Sequence, residues 1–293
     1  MLFDETTLRK LHQLSLVARQ VRAGAIKGER RSTHRGSSVE FADYRSYAPG
    51  DDLRRLDWNV YARLERPFIK LLEEEEDLAV HVLVDSSRSM DWGEGSQHKF
   101  NYTLWLTAAL GAIGLGAGDH VTISLLRGHE SQPQYGPARG TQHLLPMLGF
   151  LADQKPGGVT ELEASLRQFS LTARRAGLVY LISDLFSSDG FFNGTMRLLS
   201  KGNEVNLLHL LHPDEIEPPL AGDLSLVDIE TGQAQEVSVD GGMRRLYRQR
   251  LHTWQEQIRQ DCLEHNVRYI PINTQSAWDK LVLKDFRQAG MVK

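Results

Sequence analysis

The sequence predicts an α/β protein built on a doubly wound, mostly parallel sheet, and three observations carry that expectation. Four near-continuous apolar runs of strand length occur at Leu78–Val84, Val121–Leu126, Leu178–Ile182 and Val205–Leu211. Helical patterns separate them, at Phe100–Ala117, Thr141–Leu151, Glu161–Arg175 and Phe191–Lys201. Unbroken apolarity marks strands covered on both faces, and alternation with helices implies parallel strands joined by crossovers.

Taken in order, residues 6–22 space Leu8, Leu11, Leu14, Leu16, Val17 and Val21 so as to predict an amphipathic helix ending near Gly24. From Gly24 to Glu74 the pattern is irregular, then aromatic, then strand-like at Pro67–Leu72. The acidic run Glu73–Asp77 reads as a solvated connection. The chain is therefore expected to divide into 1–75, a helix with an irregular or β module, and 76–293, the α/β domain. Val267–Ile272 reads as a closing strand. Leu224–Glu230, Thr231-Gly232 and Glu236–Asp240 read as a hairpin, and Met243–Glu264 and Gln275–Gln288 as long helices.

Composition narrows the function classes. The 293 residues are 41% hydrophobic with a formal net charge of −4, so a core is affordable and disorder is excluded. Cys262 is the single cysteine, which excludes an internal disulfide and paired-thiolate zinc sites. The N-terminal residues lack the apolar core of a secretory signal, and Leu104–Gly118 is too short to span a bilayer. A cytoplasmic protein with no transmembrane segment is expected.

The strand LAVHVLV runs into Asp85-Ser86-Ser87-Arg88-Ser89. Alternate residues of extended chain point the same way, so Asp85, Ser87 and Ser89 can converge just past the strand end. One carboxylate with two hydroxyls is an all-oxygen donor set suited to a hard cation such as Mg²⁺. Thr160, after Gly157-Gly158-Val159, and Asp184, directly after LVYLIS, add donors where the same sheet end should lie. A solvated turn remains the alternative for Asp85–Ser89, and helix capping the alternative for Asp184.

These residues resemble a known arrangement. The D-x-S-x-S pattern of Asp85, Ser87 and Ser89, with Thr160 and Asp184, resembles the metal-ion-dependent adhesion site of von Willebrand factor A domains. Glu40-Phe41, Arg45-x-Tyr47, the run Gly50-Asp51-Asp52-Leu53-Arg54-Arg55-Leu56-Asp57-Trp58 and Ala62-Arg63 resemble the hallmark segment of the bacterial domain-of-unknown-function family numbered fifty-eight. The resemblance extends from about Gly36 to the C-terminus. It departs from many relatives in one place, where Val159 separates Gly158 from Thr160.

The resemblance implies an A-type fold and a bound divalent ion, Mg²⁺ or else Mn²⁺ or Ca²⁺, held largely by hydroxyls. It further implies that an acidic side chain of a partner protein completes the coordination. Members of the family are commonly encoded beside MoxR-type AAA+ ATPases, which implies a non-catalytic adaptor or co-chaperone. For Asp51–Arg63, charge pairing buried around an aromatic anchor is the first reading; an interface, with Arg54, Arg55, Trp58 and Arg63 as candidate partner contacts, is the sharper alternative, since Trp and Arg commonly anchor interfaces.

The competing class is a metal-dependent phosphotransfer enzyme of haloacid-dehalogenase-like or receiver-like type, using Asp85. That chemistry wants a second acid two residues on and a lysine to offset phosphate charge. Ser87 stands two residues on, and no lysine lies beside Asp184 or in Val205–Leu211. Nucleic acid is not an expected partner: Arg19, Arg22, Lys27, Arg30, Arg31 and Arg35 form a basic stretch without interleaved aromatic residues. Gly114–Gly118 sits late in a helical pattern, the wrong place for a dinucleotide loop. His209, His212 and Cys262 read as structural residues.

Overall fold

A computed structural model describes residues 5–18, 39–48, 51, 53, 56–74, 78–127, 133–159, 161–228 and 232–293. The chain divides into two compact units, residues 27–77 and the remainder. Thr160, Arg54, Arg55, the basic stretch Arg19–Arg35 and the end of the acidic run fall outside the described residues, as does the predicted helix end near Gly24.

The first helix, α1 (Glu5–His12), belongs to the larger unit. Grouping it with residues up to 75 therefore needs correction, because Leu11 and Leu14 enter the core of the α/β unit. The helix is also shorter than its periodicity predicts. After Leu14 the chain is extended: Ser15 and Lys293 exchange backbone hydrogen bonds, and Leu16 bridges Val292. Pairing with the C-terminal strand residues outweighs the local helical pattern.

In the smaller unit, β1 (Val39–Ser46) and β2 (Phe68–Glu74) form an antiparallel pair with Tyr44 opposite Lys70 and Ser46 opposite Phe68. Helix α2 (Trp58–Leu64) lies between them in sequence. Asp57 starts it by accepting hydrogen bonds from the Asn59 and Val60 amides, and also accepts from the Tyr44 hydroxyl at 2.8 Å.

The central sheet of the larger unit contains β3 (Ala79–Asp85), β4 (His120–Leu126), β5 (Gln134–Ala138), β6 (Leu178–Ser183), β7 (Glu204–Leu211) and β10 (Arg268–Asn273), in the order β5-β4-β3-β6-β7-β10. All neighbours are parallel except β4 and β5. The fold is mixed α/β with a mostly parallel central sheet, as the sequence predicts. Every residue of β3, β6 and β7 is buried, which explains why these strands read as unbroken apolar runs.

β5 was not anticipated. Its sequence, QYGPA, carries the glycine and proline that sheet interiors disfavour, and it occupies an edge where both are tolerated. The opposite edge, β10, contains Pro271.

Helices α3 (Lys99–Ala117), α4 (Leu144–Ala152), α5 (Leu162–Thr172) and α6 (Phe192–Ser200) match the predicted helical segments closely. α3 is buried along nearly its whole length. Its glycines serve packing, since a side chain at Gly114 would press on Val121, and Gly118 ends the helix with φ 84°. Among the described residues, no helix is long and apolar enough to cross a membrane.

After β7 come the short α7 (Pro213–Ile216), the hairpin of β8 (Gly222–Val227) and β9 (Ala234–Val239), and α8 (Gly241–Glu264). The predicted last helix starts later, at Trp278, and contains a π-helical turn at Leu281–Asp285.

Numbered along the chain within this sheet, the strand order is 3-2-1-4-5-6, and the direction of winding reverses between β3 and β6. Ligands of doubly wound sheets settle outside the carboxyl ends of the strands at such a reversal. Asp85 ends β3, and Asp184 immediately follows β6.

Candidate metal centre

The loop after β3 is fastened on both sides. Ser86 gives its amide and its hydroxyl to the Leu126 carbonyl at the end of β4, at 3.2 and 3.0 Å, and receives Arg127 Nε on the same hydroxyl. The glycine loop is stitched to it: Gly157 N donates to Ser86 O at 2.8 Å, and Arg88 N donates to Gly158 O at 3.1 Å. Two of the three predicted loops therefore meet through their backbones.

Asp85 is buried and both its oxygens are engaged. Oδ1 accepts the Ser87 amide at 3.0 Å, and Oδ2 accepts the Ser183 hydroxyl at 2.6 Å. That second contact joins the ends of β3 and β6 and brings the third loop to the same place. The Ser87 and Ser89 hydroxyls lie 3.0 Å apart, with Ser87 buried and Ser89 half-buried. Burial, and then the charge of Asp184 beside it, lift the Asp85 carboxyl to about 6, against the hydrogen bonds from Ser183 and Ser87.

Asp184 is fully buried and is not a helix cap. Its Oδ1 accepts the Phe186 amide at 3.1 Å, in a turn where Leu185 has φ 62°. Its Oδ2 lies 2.6 Å from Lys99 Nζ, and the same ammonium lies 2.6 Å from Glu215 Oε1. The Phe186 ring, 5.8 Å from the ammonium, takes up the remaining side. Burial alone would lower the Lys99 ammonium, but the two carboxylates more than reverse this and hold it above its usual value.

His209 Nε2 hydrogen-bonds the Asp184 carbonyl at 3.1 Å, and its Nδ1 pairs with the Tyr269 hydroxyl at 2.7 Å. Burial pushes the imidazole down to about 4, so it is neutral at physiological pH. Glu215 is itself fixed: Oε2 accepts the His212 amide in the capping box of α7, and its carbonyl accepts the Tyr247 hydroxyl from α8.

Sequence reading missed Lys99, Glu215, His209 and Ser183. The sequence carried one usable signal, a lysine opening a long, mostly apolar helix. Lys99 also corrects part of the case against phosphotransfer, because a lysine does reach Asp184, from 85 residues away. It arrives already paired with two acids and fully buried, so it has no charge to spare for a phosphate.

The donor set fits a small hard cation. Ligands at about 2.1 Å in neighbouring positions of an octahedron stand about 3.0 Å apart, the separation of the two serine hydroxyls. Among the described residues, no three His, Cys, Asp or Glu side chains group so as to hold an ion, so any ion here leans on hydroxyls. Ser87, Ser89 and Asp85 could hold it, with Asp184 behind them. The ion would supply a positive charge beside the half-buried Ser89.

In the smaller unit, Trp58 is 63% exposed and meets Tyr61 edge to face, with ring centroids 6.2 Å apart. Asp57 is buried, and Trp58 and Arg63 are exposed.

Residues 43–257 match the family described as protein of unknown function DUF58. The chain belongs to this family. Two relatives, the uncharacterized proteins Rv1480 of Mycobacterium tuberculosis and Mb1516 of Mycobacterium bovis, are each 30% identical over 245 residues, covering 82% of this chain and 76% of theirs. Among solved structures, an aerotolerance-related membrane protein from Bacteroides fragilis aligns with TM-score 0.45 and 15% identity, over 72% of this chain and 97% of that one. Proximal thread matrix protein 1 of the mussel byssus, with a zinc-occupied MIDAS motif, aligns with TM-score 0.36 and 16% identity, over 46% and 38% of the two chains.

Proposed function

We propose that this DUF58 protein is a non-catalytic binding module of von Willebrand factor A type, which uses a divalent ion, Mg²⁺ in the first instance, to grip an acidic side chain on a protein partner. The observation that carries the reading is the 3.0 Å pair of serine hydroxyls beside two buried carboxylates at the winding reversal of the sheet. Thr160 completes the set, at the end of the glycine loop whose backbone is tied to Ser86 and Arg88. Hydroxyl donors leave the ion most of its charge, and that charge recruits an outside carboxylate.

The partner is a MoxR-type AAA+ ATPase or its client, by resemblance to the family, and the chain acts as adaptor or co-chaperone in the cytoplasm. Arg54, Arg55, Trp58 and Arg63 form a second contact; the exposure of Trp58 and Arg63 supports that role. The deciding experiment captures a purified MoxR-type AAA+ ATPase on immobilised wild type, with Mg²⁺ or with EDTA, and on Ser87→Ala. Capture is expected with Mg²⁺ on wild type only. Equal capture in all three would show that the ion is not the bridge.

A phosphotransfer enzyme is the second reading, favoured only by the arrival of Lys99 at Asp184. Both oxygens of Asp85 are already engaged, which disfavours it as a nucleophile. Turnover of a phosphate ester with Mg²⁺, lost in Asp85→Asn, would reverse this ranking.

A further inference from the structure

The sheet end carries more acid than base, and its one base is fixed on Asp184. Asp85, Asp184 and Glu215 supply three carboxylates, and Lys99 supplies one ammonium touching two of them at 2.6 Å. Two donors of that ammonium are spent on Asp184 and Glu215, and the Phe186 ring lies 5.8 Å away. The pair is not a surface accident, since the Lys99 and Asp184 side chains are both fully buried.

Such a pair is costly to assemble, since both charges must leave water. It lies where Asp184 would otherwise face an incoming ion with its full charge. Two positive charges a few ångströms apart in a site screened from water repel by several kcal/mol, even with the damping usual in proteins.

We propose that Lys99 is the affinity-setting residue of the cation site: its ammonium already neutralises Asp184, so a divalent ion is held weakly by the hydroxyls and Asp85. This rests on the metal reading above. It gives that reading a regulatory sense, because a weakly held ion depends for its retention on the partner's carboxylate.

The test is a Mn²⁺ titration followed by the electron paramagnetic resonance signal of free Mn²⁺, on wild type, Lys99→Arg, Glu215→Gln and Lys99→Gln/Glu215→Gln. The double variant removes one cation and one acid together, so no new unpaired charge is buried beyond Asp184. Its Mn²⁺ affinity is expected to rise at least about ten-fold, about 1.4 kcal/mol. Lys99→Arg, which keeps the charge, is expected to stay near wild type, and Glu215→Gln, which keeps the ammonium, to bind more weakly.

Circular dichroism confirms folding of each variant, and Lys99→Met/Glu215→Leu replaces the double variant should the amides not fold. A purely structural ion pair predicts loss or no change on removal, never tighter binding. Wild type binding Mn²⁺ while the folded double variant binds no better would overturn the inference alone. If no variant depletes free Mn²⁺ at millimolar protein, the metal reading fails and takes the inference with it.

Discussion

Lys99 Nζ lies 2.6 Å from Asp184 Oδ2, and neither side chain is exposed to water. The contact joins the first turn of α3 to the loop after β6, and through Glu215 it reaches α7 and α8. Removing the ammonium alone leaves one buried acid, Asp184, and one half-buried acid, Glu215, without a counter-charge. Lys99→Met is therefore expected to cost about 3–5 kcal/mol in urea unfolding. A loss under about 1 kcal/mol would mean that water reaches the pair.

Divalent ions should stabilise the folded protein through the site. At Mg²⁺ or Mn²⁺ concentrations about 100 times the dissociation constant, the gain is about 2.7 kcal/mol, or a rise in Tm of roughly 5 °C. The rise is expected in wild type and absent in Asp85→Ala. Equal rises in both, read by differential scanning calorimetry, would place the binding elsewhere.

His81 gives the protein an acid-sensitive term far from the site. Its imidazole is buried on β3, with Nε2 3.0 Å from the Arg175 carbonyl, and burial holds it below its usual value against that hydrogen bond. The unfolded chain takes up the proton near pH 6.5 and the folded one resists, so this stabilisation is full above about pH 6.5 and is lost as the pH falls. Wild type should lose stability between pH 7 and 5 more steeply than His81→Leu, by up to about 1.4 kcal/mol per pH unit. Parallel pH profiles would show that the imidazole does not titrate differently in the two states.

Two glycines should respond differently to alanine. A side chain on Gly177 would run into the Ala79 carbonyl, which is fixed in the central sheet. At Gly111 it would meet the thioether end of Met147, which can turn aside. Gly177→Ala is expected to cost about 3 kcal/mol and Gly111→Ala under about 1 kcal/mol, offset by the better helix propensity of alanine. The urea midpoints decide it.

Cys262 should be inert while the protein is folded. It is buried on α8, and burial raises its thiol to about 12, so almost no thiolate forms at neutral pH. Reaction with an aromatic disulfide reagent is expected to be at least about a hundred-fold slower in buffer than in guanidinium. Comparable rates would show frequent opening around α8.

What could be read in advance follows from the range of each signal. The buried strands announce themselves because both faces are covered, so LAVHVLV and LVYLIS need no context. Asp85, Ser87 and Ser89 are close in sequence, and the strand-then-loop pattern sets their direction. Lys99 and Glu215 belong to Asp184 only through the fold, at separations of 85 and 31 residues, and a single sequence carries no trace of that pairing. Leu14 and Leu16 show the converse, where a helical pattern is overruled by backbone pairing with the last residues of the chain. β5 escaped notice because an edge strand tolerates the residues that normally argue against one.

Both outermost strands of the central sheet carry a proline, Pro137 in β5 and Pro271 in β10. A proline offers no amide hydrogen, and prolines on edge strands are one of the devices that discourage a second copy from pairing there. The sheet is thereby guarded against growth along its sides.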